Sequence, residues 1–310
     1  MQEDPIVIVG AARTPMGGFQ GSLTPLSAPE LGGYAIQGAV ERAGVPPKDV
    51  QDLIMGLCLF AGVKQAPARQ AAHLAGIPWD AGATTISKMC GSAMKATMLA
   101  HDNILAGSHD IMVAGGMESM TNAPYILPKA RGGYRLGNGD TVRDHMFMDG
   151  LEDAYDEGRL MGTFAEDTAE HYQFTREAQD NYAIESLTRA KKAVEDGSFD
   201  DEVVPVTVKT RKGETMVTSD EQPFNANIEK IPQLKPAFRK DGTVTPANSS
   251  SISDGAAALV LMKRSEAEKR GLTPKALIHA HSTHSQEPNW FTTAPIGAVK
   301  KVLEKTGWSK

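Results

Sequence analysis

The residue with the clearest chemical potential in this sequence is Cys90, in the stretch TISKMCGSAMKATMLA. The β-branched residues before it predict a strand, and the alanine- and methionine-rich residues after it predict a helix. A cysteine at the start of a helix lies in the field of the helix N-terminus, which carries about half a positive elementary charge. That field favours the thiolate, the nucleophilic form of the side chain. The sequence therefore predicts a nucleophilic sulfur at a strand-to-helix junction.

The neighbours of Cys90 favour the same chemistry without proving it. Gly91 leaves the approach to the sulfur free of a side chain, and the backbone N–H of Cys90 can donate to a developing oxyanion. Apolar residues surround the axis of the following helix, so we expect that helix to be buried on all sides. Free cysteines are also common as small buried hydrophobes, and position alone leaves both readings open. We expect Cys58, within the apolar run LIMGLCLF, to be a core residue only.

Short apolar runs alternate with helical patterns along the chain, which predicts βαβ units with mostly parallel strands. We predict strands at 6–10, 110–116 and 256–262, in LIMGLCLF and in KALIHAHSTH, and helices in PELGGYAIQGAVERAG and APIGAVKKVLEKTGW. Ser265 and Glu268 form a capping-box pattern at the start of a further short helix.

The character of the sequence changes near residue 120, where charge, glycine and turn residues become more frequent. In this region we predict an amphipathic helix capped by Thr175 and ended by Gly197, then a hairpin that turns at Lys212-Gly213. We interpret the region as an insertion into an α/β body. The predicted divisions are an N-terminal half at 1–119, an insertion at 120–245, the end of the N-terminal half at 246–271 and an incomplete C-terminal half at 272–310.

Composition narrows the classes of function. The 310 residues carry a net charge of −6, which argues against a general nucleic-acid binder. Two cysteines cannot form a disulfide framework, and no apolar run has the length of a signal peptide or a membrane span. We therefore expect a cytoplasmic protein with no nucleic-acid or membrane partner, and no pattern indicates a metal site.

Several stretches resemble the signatures of the thiolase family. They are ISKMCGSAMKA, VAGGMESMTNAPY and NSSSISDGAAA, together with AARTP near the N-terminus and LKPAFRKDGTVTPAN before the third signature. They occur in the family's order across nearly the whole chain. The resemblance implies an α/β fold, the thiolase-like layered αβαβα arrangement of two similar halves, with an α/β insertion and a truncated second half. It also implies a homodimer or homotetramer.

The resemblance implies a two-step acyl transfer between coenzyme A thioesters, with no permanently bound cofactor. In thiolases the cysteine of CGSAMKA takes the acyl group as a thioester, and a second acetyl-CoA then condenses with it to give a 3-ketoacyl-CoA. Cys90 matches that nucleophile. The implied activity is acetyl-CoA acetyltransferase, forming or cleaving acetoacetyl-CoA. The alternatives are a degradative 3-ketoacyl-CoA thiolase of broader chain length and a silent coenzyme A- or lipid-binding relative.

The same resemblance assigns residues to coenzyme A binding. Ser250 and Ala247 match residues along the pantetheine arm, Met161 and Phe238 match the apolar lining of its tunnel, and Leu151 matches a leucine at the adenine end. Core packing is an equal reading for Met161 and Phe238 from residue type. The loop LPKARGGYRLG resembles one that reaches a neighbouring subunit, and its Lys129, Arg131 and Arg135 are candidates for phosphate contacts or for solvated loop residues.

The sequence departs from the family toward its end. We find no match to the asparagine, histidine and second-cysteine motifs that follow in thiolases, and we interpret His279, His281 and His284 as ordinary strand histidines. A missing general acid or base typically costs about 10²–10⁴-fold in rate. We therefore expect little or no thiolase turnover from these 310 residues alone. Leu160 stands where many short-chain thiolases have histidine, which leaves longer acyl groups open.

Overall fold

A computed structural model describes residues 4–137, 141–211 and 213–310. Its strands are β1 (Ile6–Arg13), β2 (Gly17–Gly18), β3 (Asp52–Gly56), β4 (Gly82–Ile86), β5 (Ile111–Ser119), β6 (Tyr125–Ile126), β7 (Arg143–Asp144), β8 (Val206–Thr210), β9 (Gly213–Val217), β10 (Ser253–Lys263) and β11 (Ala276–Leu277). Its α-helices are α1 (Ala28–Ala43), α2 (Pro67–Leu74), α3 (Ser92–Leu105), α4 (Met161–His171), α5 (Arg176–Glu195), α6 (Gln222–Asn225), α7 (Arg264–Lys269) and α8 (Ala294–Thr306).

The central sheet has the strand order β11-β1-β10-β5-β3-β4, with β2 paired to β10. β3 is parallel to both β4 and β5, as expected for strands joined through α2 and α3. β10 runs antiparallel to β1 and to β5, between which it lies. The prediction of mostly parallel pairing is therefore wrong. β10 returns to the sheet only after the long segment that follows β5, so no helical crossover fixes its direction.

Helices cover both faces of this sheet. Residues of α1 and α2 pack with strand residues in the larger core cluster, and Ala96, Ala100 and Ile104 of α3 pack on the opposite face. α1 begins at a capping box between Ser27 and Glu30 and ends at Gly44, whose φ of 66° is in the left-handed region. The helix-strand alternation read from the sequence therefore produces an α/β layer structure with a buried sheet.

The expectation that α3 is buried on all sides is wrong for the described chain. Met94 is 67% exposed. Met94, Thr97 and Met98 border an apolar groove of about 340 Å³, which the segment 278–282 and α8 line on the other side. We call it the α3–α8 groove. The sequence shows that every side of α3 carries apolar residues, but the described partners cover only the side that faces the sheet.

Several local predictions for the insertion are confirmed. Thr175 caps α5 by accepting a hydrogen bond from the backbone N–H of Ala178. The strands β8 and β9 pair antiparallel as a hairpin. Lys212 of the predicted turn lies outside the described residues, as do the first three residues of the chain. Elements from β6 to α6 lie between β5 and β10 along the chain, and the exact domain boundaries stay predictions.

Two predictions near the C-terminus are wrong. α7 begins at Arg264, so Ser265 lies inside the helix and bonds Asp4 through its backbone N–H and hydroxyl rather than closing a capping box. The predicted strand in KALIHAHSTH shrinks to β11, because its partner β1 begins at Ile6, to whose carbonyl the N–H of Ile278 still donates at 3.0 Å. The predicted helix α8 is confirmed, with Pro295 in its first turn and Gly307 at its C-cap. No helix of the described residues combines the length and apolarity that a bilayer crossing requires.

Candidate active site

Cys90 is exposed and lies just before α3. It lines a cleft of about 320 Å³, which we call the Cys90 cleft. The other residues that line it come from the ends of β3 and β5, the start of α3, β10 and the loop around Leu151, and they are Gly56, Leu57, Cys58, Leu59, Met89, Ser92, Ala93, Gly116, Met117, Glu118, Met120, Gly150, Leu151 and Gly255. The sulfur is therefore open to a ligand of small-molecule size, which the reading of Cys90 as a core residue does not explain.

Two glycines allow α3 to begin so close to the sheet. A Cβ added to Gly56 would lie 2.6 Å from the carbonyl carbon of Ser92, and one added to Gly116 would lie 2.7 Å from the Cβ of Ala93. Both distances are shorter than packing allows, so larger residues at either position would push the first turn of α3 away. The glycines at the ends of β3 and β5 thus position the residue that precedes α3.

A tight turn holds Cys90 in place. Met89 has a φ of 48°, which is in the left-handed region and is uncommon for a residue with a side chain. The Oγ of Ser92 accepts from the backbone N–H of Lys88 at 2.8 Å and donates to the carbonyl of Met89 at 2.6 Å. These bonds close the turn around Cys90 and hold Met89 in its strained backbone conformation. Strained residues held in this way are common at functional sites.

Two of the amides beside the sulfur are already engaged in hydrogen bonds. The N–H of Gly91 donates to the carbonyl of Lys88 at 3.1 Å, and that of Ser92 donates to the carbonyl of Met89 at 3.0 Å. Neither is therefore a free donor at the thiol. The space over Gly91 is open as predicted, because an added Cβ would meet just the carbonyl oxygen of Lys88, at 3.4 Å.

The prediction that Cys58 lies in the strand core is wrong. β3 ends at Gly56, and Cys58 is a half-buried residue in the wall of the Cys90 cleft. Its sulfur lies 4.0 Å from the Oγ of Ser92. Burial, with a further contribution from the charge of Glu118, raises the pKa of Cys58 to about 12. The cleft thus contains two cysteines, and Cys58 keeps its proton at neutral pH.

Glu118 is the acid that sequence reasoning missed. Its two carboxylate oxygens accept the backbone N–H groups of Cys58, at 2.8 Å, and Leu59, at 3.1 Å. Burial raises the pKa of Glu118, although these two hydrogen bonds oppose the shift. The signal was present in the stretch GGMESM, where Glu118 is the one charged residue in an otherwise apolar strand end. The carboxylate holds the loop after β3 against β5.

A buried histidine supports the same loop. The backbone N–H of Ala61 donates to Nε2 of His145 at 3.2 Å, and Nδ1 of His145 lies 2.5 Å from a carboxylate oxygen of Asp149. Since Nε2 accepts, the proton of the neutral ring is on Nδ1 and points to Asp149. The titratable side chains among the described residues that line the cleft are Cys58, Cys90 and Glu118, so His145 acts on the shape of the wall.

The predicted pantetheine residues fall into two neighbouring places. Met161 begins α4, and the ring of Phe238 packs directly against Gly162, where an added Cβ would lie 2.2 Å from ring atoms. Ala247 is half-buried and Ser250 is exposed, in the segment that leads into β10. None of these four residues is among those that line the Cys90 cleft. Their contact with coenzyme A stays a prediction.

Leu151 lines the Cys90 cleft at the end of a π-helical turn, Phe147–Leu151. This turn folds onto the loop after β3, since a Cβ added to Gly150 would lie 3.2 Å from a methyl carbon of Leu59. The contact of Leu151 with the adenine end of coenzyme A stays a prediction. The candidate phosphate ligands Lys129, Arg131 and Arg135 are exposed, and their role stays a prediction.

Comparison with known proteins decides the family. The family profile described as thiolase, N-terminal domain, matches residues 6–265. The chain belongs to the thiolase family. This thiolase is 46% identical to an acetyl-CoA acetyltransferase of Cupriavidus necator over 98% of the chain and 77% of that relative. It is 47% identical to the mitochondrial acetyl-CoA acetyltransferase of Bos taurus over 98% of the chain and 72% of that relative.

Solved structures agree with the sequence comparison. An acetyl-CoA acetyltransferase from Syntrophomonas wolfei superposes with a TM-score of 0.94 at 40% identity, over 99% of this thiolase and 77% of that chain. The Acat5 thiolase from Ascaris suum, solved in complex with coenzyme A, superposes with a TM-score of 0.92 at 40% identity, over 99% of this thiolase and 78% of that chain. The predicted family and α/β thiolase fold are confirmed.

Proposed function

We propose that this thiolase is an acetyl-CoA acetyltransferase in which Cys90 carries the acyl group. The observation that carries the proposal is the exposed thiol of Cys90, held by a strained turn before α3 at an apolar cleft. The names of relatives that are 43–48% identical support acetyl-CoA as the substrate. Ser250, Ala247, Met161 and Phe238 are our proposed contacts for the pantetheine arm, and Leu151 is a further proposed contact for coenzyme A.

The first half-reaction needs the chain's own sulfur. The thiolate of Cys90 attacks the thioester carbonyl of acetyl-CoA, the bond from that carbon to Sγ forms, and the bond to the coenzyme A sulfur breaks. Coenzyme A leaves as a thiolate and takes up a proton. The covalent intermediate divides one difficult displacement into two easier steps.

The second half-reaction needs a base for the α-proton of a second acetyl-CoA. Within the described part of the chain, Glu118 and the two thiols are the titratable side chains that line the cleft. Glu118 is engaged by two backbone amides, and Cys58 is a weak acid with a pKa of about 12. We therefore keep the expectation of little or no thiolase turnover from these 310 residues, and we propose that acylation of Cys90 is the step they can still perform.

The experiment separates the two half-reactions. The purified chain is incubated with acetyl-CoA, and intact mass with peptide mapping reports an acetyl group on Cys90. Cys90→Ser should abolish the adduct, while Cys58→Ser should retain it. Acetoacetyl-CoA cleavage is measured in parallel and should be close to background. If acetyl-CoA leaves Cys90 unmodified, or modifies Cys58 instead, the proposed role of Cys90 is wrong.

A second candidate is a degradative thiolase with broader chain length. The apolar walls of a cleft of about 320 Å³, formed by Leu57, Met117, Met120 and Leu151 among others, favour acyl groups longer than acetyl. Acylation of Cys90 by a series of acyl-CoAs distinguishes the two. A rate that stays within about tenfold from acetyl to hexanoyl supports the broader enzyme.

We also propose a cytoplasmic homodimer or homotetramer with no nucleic-acid or membrane partner. The short strand β4 is an edge of the sheet, with backbone groups available for a second subunit. The two free cysteines support a reducing compartment. The net charge of −6 argues against a nucleic-acid partner. Light scattering measures the size of the oligomer. Cell fractionation distinguishes a cytoplasmic location from a mitochondrial one, which the name of the Bos taurus relative suggests as the alternative.

A further inference from the structure

Three side chains with metal-binding donors meet on α3, away from the Cys90 cleft. They are His101 and Asp102 of the helix and His281, from the segment after β11. One donor atom from each lies within 4.8 Å of the other two. Nδ1 of His101 is 3.0 Å from Oδ1 of Asp102, and Nε2 of His281 is 2.8 Å from the same oxygen. Two imidazole rings thus converge on one carboxylate oxygen.

We propose that His101, Asp102 and His281 form a binding site for a divalent cation of the zinc class. Two imidazoles and one carboxylate are a donor set that zinc accepts, with a water molecule in the fourth position. Zinc–ligand bonds of about 2.0–2.2 Å place tetrahedral ligand atoms roughly 3.4 Å apart. The separations of 2.8 and 3.0 Å lie about 0.5 Å short of that spacing, so a small opening of the cluster admits the ion.

The burial of the three side chains suits an ion that enters from solvent. The side chain of His101 is 5% exposed, that of His281 is 25% exposed and that of Asp102 is 51% exposed. The carboxylate side is therefore open, while the imidazole of His101 forms a fixed floor.

Hydrogen bonding alone does not account for the burial of His101. Its Nε2 is buried without a hydrogen-bond partner among the described residues. The ring faces Asp102 through Nδ1, so Nε2 is not a ligand and stays unpaired with or without a metal, and the proposed site depends on the convergence of the three donor atoms. The competing arrangement is a metal-free cluster in which each ring donates a proton to Asp102. The zinc-bound site holds fewer protons than the metal-free cluster, because the metal takes the place of the ring protons that point to Asp102.

A metal here would fasten the C-terminal part of the chain to the helix that follows Cys90. The carbonyl of His281 accepts from Nζ of Lys305 in α8 at 2.8 Å, and the hydroxyl of Ser282 donates to the carbonyl of Ala298 at 2.7 Å. The segment that carries His281 is therefore already joined to α8. Coordination would add a bond from this unit to α3 across the α3–α8 groove.

The test uses the full chain with Cys58→Ser and Cys90→Ser in every sample, because thiolates also bind zinc. After removal of metal, calorimetric titration with Zn²⁺ at pH 7.5 should show one saturable site, while Mg²⁺ should not bind. His281→Ala and Asp102→Asn should each weaken zinc binding at least tenfold. The matched control is His109→Ala. The Nε2 of His109 also faces a carboxylate, that of Asp52 at 3.3 Å, but this pair lacks the third ligand that the proposed site has.

Two further readouts keep the test independent of folding defects. Co²⁺ in place of Zn²⁺ should give the absorption of a tetrahedral site. Circular dichroism checks that each variant is folded. Absence of saturable zinc binding, or equal binding by folded His281→Ala, overturns the proposal in favour of the metal-free hydrogen-bonded cluster.

Discussion

The carboxylate of Glu118 accepts the backbone N–H of Cys58 at 2.8 Å, and this bond joins the loop after β3 to β5 at the wall of the Cys90 cleft. It brings an acid and a second cysteine beside the candidate nucleophile. The raised pKa of Cys58 and the raised pKa of Glu118 have the same main cause, which is burial in an apolar wall. The hydrogen bond from the N–H of Cys58 to the carboxylate of Glu118 therefore holds this wall of the cleft together.

The two cysteines should differ in reactivity. With a pKa of about 12, Cys58 is about 10⁻⁴ thiolate at pH 8, and it is half-buried, whereas Cys90 is exposed. Iodoacetamide at pH 8 should therefore label Cys90 first, and acetyl-CoA should protect it. Peptide mapping over time at pH 7, 8 and 9 measures both rates. Equal labelling of Cys58 at pH 8 would contradict this picture of the cleft.

Glu118→Gln should destabilise the protein in a pH-dependent way. The amide has one acceptor oxygen, so one of the N–H groups of Cys58 and Leu59 faces an NH₂ group, at a cost of about 1–3 kcal/mol in the free energy of unfolding.

The folded wild-type protein binds the Glu118 proton more tightly than the unfolded chain, because the folded pKa is raised. Its stability from this group therefore falls as pH rises above the ordinary value of 4.5. Glu118→Gln lacks that loss, so its deficit should be larger at pH 5 than at pH 8 in urea unfolding. Glu157→Gln, at an exposed pair with Arg143, is the control and should be neutral. A deficit that does not change with pH would argue against ionisation of Glu118 in this window.

Gly56→Ala should displace the start of α3. The new Cβ would lie 2.6 Å from the backbone of Ser92, and overpacking of this kind costs about 1–3 kcal/mol in the free energy of unfolding. We expect acylation of Cys90 by acetyl-CoA to slow at least tenfold in the folded variant. Gly132→Ala is the matched control, since an added Cβ there meets no atom within 4 Å. Wild-type acylation by Gly56→Ala would show that the glycine does not position Cys90.

Glu166→Ala should loosen the proposed pantetheine wall. The buried carboxylate of Glu166 in α4 accepts the backbone N–H groups of Thr243, at 2.9 Å to one oxygen, and of Val244, at 2.9 Å to the other. Its removal leaves these donors unpaired, at about 1–3 kcal/mol. The acetyl-CoA concentration for half-maximal acylation should rise, with a smaller change in the maximal rate. The control Glu185→Ala removes an exposed partner of Arg189, and an equal effect there would refute the assignment.

Much of the local structure followed from the sequence because its signals are local. A terminal glycine marked α1, Thr175 and Gly197 marked α5, and a dense β-branched run beside an alanine-rich run marked the junction at Cys90. The direction of β10 could not be predicted in this way. Its position between β1 and β5 depends on where the chain returns after the long segment that follows β5, and strand composition does not encode direction.

The sequence by itself determined the family, the α/β class and Cys90 as the candidate nucleophile, since these depend on residue types in a fixed order. The tertiary structure alone decided that Cys58, Glu118 and Leu151 surround that thiol, and that His281 meets Asp102. These residues are far apart along the chain, and they meet because parallel strands end at one edge of the sheet and the last segment crosses α3. Such contacts depend on packing between elements, which spacing within one element does not report.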